Sequence, residues 1–440
     1  MLHRRDLLAG AIAAASGRPL LADVARRFGL GERHWLAAAL QAERWIHRSR
    51  ITSGSGVVWP ADPAKPESVS RELYNGMAGV VLFYLELYHV TSDAAWLREA
   101  ELGARSLIDE PADSPSGLYT GLAGSAFVLE QVARQGGHAD FRKAAARACA
   151  GLRERAKPAG TGVEWNDTTD IIAGSAGIGL TLLWLESTVG RDGARDLAVR
   201  AGRHLLELGQ QAEGGLTWMM TPTFARNMPN FSHGTAGVAY FLARLHARTG
   251  DPGFLEGAKA GARYLQAIVV PKGDGAVVRH HDGDGAELFY LSWCHGPAGT
   301  ARLFHQLASM DQSFLSWVDR LARGIPAMGV PERSPGFWNN ISQCCGNAGV
   351  IQFALDRART GKDAAALEYA RRVTADLMQR ATSDGDGLKW VQAEHRMQPE
   401  NLVAQTGFMQ GAAGVGTVLL HLDAAERNSR WAVTFPDSPF

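Results

Sequence analysis

The chain has 440 residues and a balanced charge, with 45 lysine and arginine residues against 45 aspartate and glutamate residues. It contains no long basic segment interleaved with aromatic residues, which argues against nucleic acid as a partner. It also contains no run of about eighteen or more apolar residues, so we expect no membrane span.

The N-terminal residues differ in composition from the rest of the chain. Two arginines precede a small apolar run, in the order Arg4-Arg5-Asp6-Leu7-Leu8 followed by residues 9–15. This pattern is typical of a twin-arginine export signal. We therefore predict a signal segment at residues 1–30, a single domain at residues 31–440 and an exported, periplasmic protein. The alternative is an ordinary amphipathic N-terminal helix in a cytoplasmic protein.

A four-residue motif, Gly-x-Ala-Gly, occurs seven times along the chain, and we call it the GxAG repeat. Successive copies begin 45 to 65 residues apart. This spacing is typical of a repeated supersecondary unit with loops of variable length. The copies begin at Gly76, Gly121, Gly174, Gly234, Gly296, Gly346 and Gly411.

Two kinds of helix are predicted in chain order, after a first helix at residues 34–47. Nearly continuous apolar segments follow the GxAG repeats, and a helix that is apolar on all sides must be buried. These segments lie at residues 80–85, 128–129, 178–185, 238–242 and 415–420. Charged, periodic segments between them have the polar face of helices that cover a core. These segments lie at residues 94–108, 141–155, 194–208, 253–268 and 363–378.

Alternation of the two kinds of helix predicts the fold. Seven buried helices and seven amphipathic ones form an all-α protein, an (α/α) toroid of seven helical hairpins with an inner and an outer ring. The small residues that open each inner helix allow backbones to approach closely where the ring narrows. A closed ring leaves no edge to bury, so we expect a monomer.

Three of the four cysteines lie directly at GxAG repeats. Cys294 comes two residues before one copy, and Cys344 and Cys345 immediately precede the next. Because equivalent positions of a toroid converge at one mouth, we predict that these thiolates hold one zinc ion with an open fourth position. An open position allows zinc to present a substrate thiol as a nucleophile. Cys149 lies in a predicted outer helix and is expected to be a small packed hydrophobe.

Two alternatives remain open for the three cysteines. A disulfide between Cys294 and one of the adjacent pair is possible in an oxidising compartment. A purely structural zinc ion requires a fourth protein ligand, and His295 is available for that position.

Three further polar residues accompany the predicted zinc site. His233 immediately precedes Gly234, and an imidazole is suited to proton transfer near neutral pH. Asp170, four residues before Gly174, either caps the third inner helix or orients an acid or base. His295 is a candidate for metal contact, for proton donation or for simple packing. We predict Asp170, His233 and His295 as the catalytic residues.

A weaker pattern, Gly-x-x-Trp, occurs four times in loops that lead to inner helices. The tryptophans are either a collar of indoles that holds a flexible substrate near the metal, or anchors of their own loops. They are Trp59, Trp165, Trp218 and Trp390.

Four motifs together resemble those of the lanthionine synthetase cyclases and their LanC-like relatives. The motifs are Asp170-Ile-Ile-Ala-Gly174, Ser232-His233-Gly234, Trp293-Cys294-His295-Gly296 and Cys344-Cys345-Gly346. The resemblance implies an α/α toroid with zinc on Cys294, Cys344 and Cys345, and acid or base roles for Asp170 and His233. Many members carry Cys-His-Gly where this chain has Cys-Cys-Gly, and the three-cysteine form resembles a subset with reactive zinc centres.

The resemblance also implies a reaction. A zinc-dependent enzyme of this kind adds a cysteine thiol to dehydroalanine or dehydrobutyrine and forms a thioether of the lanthionine type. The expected partner is a dehydrated peptide or another pair of thiol and dehydroamino acid, and the expected cofactor is one zinc ion per chain. The alternatives are a glycan-acting toroid, which requires two opposed carboxylates, and a non-catalytic zinc- or peptide-binding scaffold.

Overall fold

The computed structural model describes residues 33–440 except 110, 112, 191–192, 284–286, 333–336 and 339, and describes only the backbone of 337 and 338. The expected export signal at residues 1–30 lies outside these described residues. Among the helices of the described part, none combines the length and the apolar character that a membrane crossing requires.

The described residues form fourteen α-helices, which alternate between an inner and an outer ring. Each inner helix begins at the residue after the first glycine of a GxAG repeat. The inner helices are α2 Met77–Thr91, α4 Leu122–Gly136, α6 Ser175–Leu185, α8 Thr235–Thr249, α10 Pro297–Ala308, α12 Asn347–Gly361 and α14 Ala412–Glu426. The outer helices are α1 His34–Arg48, α3 Ala94–Arg105, α5 Ala139–Arg155, α7 Ala194–Leu208, α9 Pro252–Ile268, α11 Leu315–Ala327 and α13 Ala364–Gln379.

Burial separates the two rings as the sequence predicts. In α2 every residue from Met77 to Leu87 is buried, whereas α7 buries one stripe that includes Leu197, Ala201 and Leu205. Aspartate side chains cap the first turn of α3, α9 and α13 and accept a backbone N–H there. Cys149 lies on α5 and is buried, so the prediction of a packed hydrophobe is confirmed.

The second glycine of the GxAG repeat is required by close backbone packing. A Cβ on Gly299 would overlap the carbonyl oxygen of Trp293 in the turn before α10 and the Cβ of Phe231 in the neighbouring turn. The glycine therefore allows each inner helix to begin against its own turn and the turn beside it.

In the described part of the chain, five β-hairpins that the sequence did not predict join the outer helices. Each follows one outer helix and packs against the next. They are β1 Ile51–Ser53 with β2 Gly56–Val58, β3 Lys157–Ala159 with β4 Gly162–Glu164, β5 Gln210–Ala212 with β6 Gly215–Thr217, β7 Val270–Lys272 with β8 Gly275–Val277, and β11 Ala381–Asp384 with β12 Gly387–Ala393. The strands β9 Phe289–Tyr290 and β10 Phe337–Trp338 form a short parallel pair, and β13 Leu402–Ala404 extends the last hairpin.

The tryptophans anchor these hairpins and do not form a collar. The indole Nε1 of Trp165, Trp218 and Trp390 donates to a carbonyl of the preceding outer helix, on Leu152, Leu205 and Leu377, at 2.7, 2.6 and 2.9 Å. All three side chains are buried, as is Trp59. Because the four indole rings are buried, the structure favours the anchoring alternative over a substrate-holding collar.

Both rings close through elements from opposite ends of the described chain. Helix α1 packs against α14 to complete the seventh hairpin, and α14 also packs against α2. Strand β12 lies against α1, where a Cβ on Gly387 would come within 2.9 Å of the Trp45 backbone nitrogen. The Arg48 guanidinium donates to the Asp386 carboxylate at 2.6 Å beside this contact. The prediction of an (α/α) toroid with seven helical hairpins is therefore confirmed.

Residues 427–440, which we call the lumen segment, enter the space inside the inner ring. Two consecutive backbone N–H groups, of Ala432 and Val433, donate to the buried Glu86 carboxylate on α2 at about 3 Å. Farther along, the Asp437 carboxylate accepts hydrogen bonds from the Tyr119 hydroxyl at 3.2 Å and from the Trp293 indole at 3.1 Å. The segment thus lies beneath the turns that carry the predicted site.

Substitution of Gly387 by alanine is expected to weaken the closure of the outer ring. The added methyl group meets the Trp45 backbone, and overpacking of this kind costs about 1–3 kcal/mol. Thermal unfolding should show a lower midpoint for Gly387→Ala. The control is Gly361→Ala at the end of α12, where the nearest atom is 4.0 Å away and no loss is expected. Equal midpoints for the two variants would contradict the closure argument.

Candidate metal centre

A closed circle of backbone hydrogen bonds joins the seven turns before the inner helices, and we call it the backbone ring. It runs through the residue two positions before the first glycine of each GxAG repeat. These residues are Tyr74, Tyr119, Ile172, Ser232, Cys294, Cys344 and Met409. The N–H of one turn donates to a carbonyl of the next at 2.8–3.1 Å, and one of the seven bonds is donated by Ile171 in place of Ile172.

The backbone ring places the metal-ligand candidates side by side. Cys294 N donates to Cys344 O at 3.0 Å, so the two cysteines occupy the same position on neighbouring turns. Cys345 follows Cys344 and lies with its Sγ 3.3 Å from that of Cys294 and 3.5 Å from that of Cys344. The three sulfur atoms, all buried, lie within 4.8 Å of one another. The predicted convergence of the three cysteines is therefore observed.

These distances fit ligands of one zinc ion and not a disulfide. A disulfide requires about 2.05 Å between sulfur atoms, and all four cysteines are free. Sulfur atoms bound tetrahedrally to zinc at about 2.3 Å lie about 3.8 Å apart. Within the described residues, the group of close ligand atoms contains these three cysteines and does not include His295. The donor set therefore fits a zinc ion with three protein thiolates and one position for another ligand.

The three thiols differ in acidity. Burial, followed by hydrogen bonds with the other two thiols, raises the pKa of Cys294 well above that of an ordinary thiol. The hydrogen bond with Cys294 lowers the pKa of Cys345, but the hydrogen bond with Cys344 and burial outweigh it and raise that pKa well above the ordinary value. Burial acts to raise the pKa of Cys344, but hydrogen bonds from the other two thiols and from the Tyr74 hydroxyl outweigh it and lower the pKa of Cys344.

Asp170 and His233 form a hydrogen-bonded pair. The Asp170 Oδ2 atom lies 2.6 Å from Nδ1 of His233. Its Oδ1 atom accepts backbone N–H groups of Ala173 and Gly174 at 2.8 and 2.9 Å. Asp170 is not the cap of the third inner helix, because the N-cap residue of α6 is Gly174 and no side chain caps it. The carboxylate instead fixes the turn before α6 and contacts the imidazole.

The environment of His233 favours its protonated form. Burial lowers the pKa of His233, but the hydrogen bond and the negative charge of Asp170 outweigh burial and raise it above the ordinary imidazole value. The Asp170 side chain is 1% exposed, whereas that of His233 is 29% exposed. The ring is therefore accessible from outside while its Nδ1 edge is held by a buried carboxylate.

His295 is packed within a cluster of aromatic rings. It stacks on His280 with ring centroids 4.0 Å apart, and its Nε2 lies 3.4 Å from the Ser232 hydroxyl. Burial lowers the pKa of His295 well below that of a free imidazole and lowers the pKa of His280 to about 3. Both rings are therefore neutral near pH 7. The His295 ring lies 5.4 Å from that of His233.

Two residues of the site, Tyr74 and His280, were not predicted from the sequence. The Tyr74 hydroxyl donates to Cys344 Sγ at 3.0 Å, and Gln410 donates to the Tyr74 oxygen at 2.8 Å. Tyr74 stands two residues before a GxAG repeat, as Cys294 and Cys344 do, so its register was the available signal. His280 precedes β9 outside any repeat and had no such signal.

Comparison with protein families identifies the class of protein. A family model described as lanthionine synthetase C-like protein matches residues 67–436. The chain belongs to the lanthionine synthetase C-like family. No curated protein matches it in sequence.

Several solved structures are similar to this chain. Nisin cyclase is similar with a TM-score of 0.61 and 16% identity, over 86% of this chain and 91% of that one. A variant of an α-1,6-mannanase from Salegentibacter sp. HEL1_6 has a TM-score of 0.47 and 12% identity, over 89% and 99% of the two chains. An unsaturated glucuronyl hydrolase specific for heparin has a TM-score of 0.47 and 11% identity, over 91% and 99%.

Replacement of any one of the three clustered cysteines by alanine is expected to remove the metal. Two thiolates cannot complete the donor set, so zinc content measured by elemental analysis should fall from near one ion per chain to near zero. Cys149→Ala is the matched control, because Cys149 is a buried cysteine on an outer helix and should leave the metal content unchanged. Full zinc content in Cys294→Ala would refute the assigned ligand set.

Proposed function

We propose that this protein is a zinc-dependent enzyme that adds a cysteine thiol to a dehydroalanine or dehydrobutyrine residue and forms a thioether. The observation that carries the proposal is the group of three sulfur atoms within 4.8 Å, on the same mouth of the toroid as the Asp170–His233 pair. Membership of the lanthionine synthetase C-like family supports the same chemistry.

We assign the metal to Cys294, Cys344 and Cys345. Zinc bound there supplies the positive charge that keeps a substrate thiol ionised at neutral pH. The family match over residues 67–436 supports one toroidal domain at residues 31–440.

We assign proton transfer to the Asp170–His233 pair. Attack of the substrate sulfur on the β-carbon leaves an enolate, whose α-carbon must receive a proton. Asp170 holds the Nδ1 proton of His233, so the exposed Nε2 edge is free to deliver its own proton to that carbon. The thiol loses one proton and the α-carbon gains one, so the addition is balanced. His295, neutral and stacked, is assigned as a wall of the site.

The proposed substrate is a peptide that presents a dehydrated serine or threonine and a cysteine. The mouth is open to such a chain because the His233 side chain keeps 29% of its surface accessible. Incubation of the zinc-loaded protein with a synthetic peptide that holds both groups tests the proposal. Mass spectrometry after thiol alkylation should show that the free thiol is lost only when enzyme is present; an unchanged thiol would overturn the proposal.

Replacement of His233 by asparagine is expected to slow the reaction without removing the metal. Loss of a general acid costs about 10²- to 10⁴-fold in rate. This variant should therefore keep the zinc content of the wild type while its rate of thioether formation falls. His138→Gln, at an exposed histidine ahead of α5, is the control and should keep both. A His233→Asn protein that loses zinc in parallel with activity would argue against the assigned role.

The pH dependence should report the Asp170–His233 pair. Because Asp170 raises the pKa of His233, the acid form persists to higher pH than a free imidazole allows, and activity should decline on the basic side as that form is lost. Asp170→Asn removes the negative charge, so the pKa of His233 falls and the decline should move to lower pH. Rates measured across the pH range with zinc content checked at each point test this. A decline at the same pH in both proteins would exclude His233 as the acid.

A further inference from the structure

A series of hydrogen-bonded polar side chains ends at the sulfur of Cys344. The Gln392 amide nitrogen donates to Oε1 of Gln410 at 3.1 Å, and the Gln410 amide nitrogen donates to the Tyr74 oxygen at 2.8 Å. The Tyr74 hydroxyl in turn donates to Cys344 Sγ at 3.0 Å. Gln392 and Gln410 are 6% and 2% exposed.

A backbone group at the far end of this series fixes the orientation of the two glutamine amides. The N–H of Ile341, which can only donate, bonds to Oε1 of Gln392 at 3.1 Å. The amide nitrogen of Gln392 must therefore face Gln410, and the amide nitrogen of Gln410 must face Tyr74. Since the Tyr74 oxygen already accepts a hydrogen bond from Gln410, its own proton is directed to the sulfur.

The contact distinguishes Cys344 from the other two cysteines. Among the described residues, the side-chain sulfur atoms of Cys294 and Cys345 have hydrogen-bond contacts only within the cysteine cluster. A hydrogen bond to a metal-bound thiolate withdraws electron density from the sulfur, and such neighbours tune metal sites strongly. One of the three sulfur ligands is thus a weaker electron donor than the other two.

We propose that Tyr74, oriented by Gln410 and Gln392, is a positioning residue of the metal centre that holds the Cys344 sulfur in place by a hydrogen bond and weakens its electron donation to the metal. This inference rests on the proposed metal site. Three thiolates make a metal ion electron-rich, and the Tyr74 hydroxyl offsets part of that effect at one sulfur.

Cobalt substitution with Tyr74→Phe tests the proposal directly. Without the hydrogen bond, the Cys344 sulfur lone pair rises in energy, so the sulfur-to-cobalt charge-transfer band should move to longer wavelength. Zinc affinity, measured by competition with a chromophoric chelator, should fall by about 10-fold or more, because loss of the positioned sulfur outweighs its stronger electron donation. The matched control is Tyr119→Phe, because Tyr119 has the same register in the backbone ring but bonds to Asp437 and not to sulfur. The charge-transfer band of cobalt-loaded Tyr119→Phe should keep the wavelength of the wild-type protein.

A second variant covers the case in which Tyr74→Phe does not fold. Gln410→Met keeps the Tyr74 hydroxyl and removes the group that orients it, so a smaller shift in the same direction is expected. An unchanged band in a folded, cobalt-loaded Tyr74→Phe protein overturns the inference, and so does an unchanged band in Gln410→Met if only that variant folds.

The same experiments separate this inference from the proposed function. A wild-type protein that binds no cobalt or zinc overturns both. A band shift in Tyr74→Phe supports the role of Tyr74 even if the wild-type enzyme forms no thioether, in which case only the proposed reaction fails.

Discussion

The backbone ring is the interaction on which the rest of the structure depends. Amide hydrogen bonds of about 3 Å connect the turns around the whole circle, so the separation between equivalent side chains is set by main-chain geometry. Cys294 and Cys344, fifty residues apart in sequence, become neighbours because Cys294 N donates to Cys344 O. Main-chain hydrogen bonds alone therefore bring the cysteine turns together, and this preorganises the donor set.

Two groups on neighbouring turns of the site provide negative charge for different partners. Three sulfur atoms provide negative charge for a cation, and the Asp170 carboxylate provides it for the His233 ring. Asp170 is 1% exposed, and its charge is compensated by two backbone N–H groups and the imidazole. The hydrogen bond and the negative charge of Asp170 raise the pKa of His233 and favour its protonated form. On the other side of the site, burial lowers the pKa of His280 and His295 and favours their neutral form.

The sequence predicted the inner helices and the cysteine cluster, because the GxAG repeat marks the same physical requirement seven times. A Cβ at Gly299 would strike a carbonyl, so the glycine is informative in itself. The hairpins were not predicted because most of their strands have only three residues, which is too short for a periodic pattern. The sequence left two alternatives for the tryptophans, a collar or loop anchors, because an indole's hydrogen-bond partner on the preceding helix cannot be read from composition. Tyr74 was overlooked because its chemistry differs from that of cysteine, although its register is the same.

Closure of the toroid through α1 and β12 has a consequence for biosynthesis. A ribosome releases residues 34–48 well before residues 381–426, yet these segments must meet to complete both rings. Until then, Met409 is not in place to accept the N–H of Cys344. The backbone ring can therefore close only after translation has passed the turn that carries Met409, and the cysteine turns gain their last main-chain neighbour at that stage.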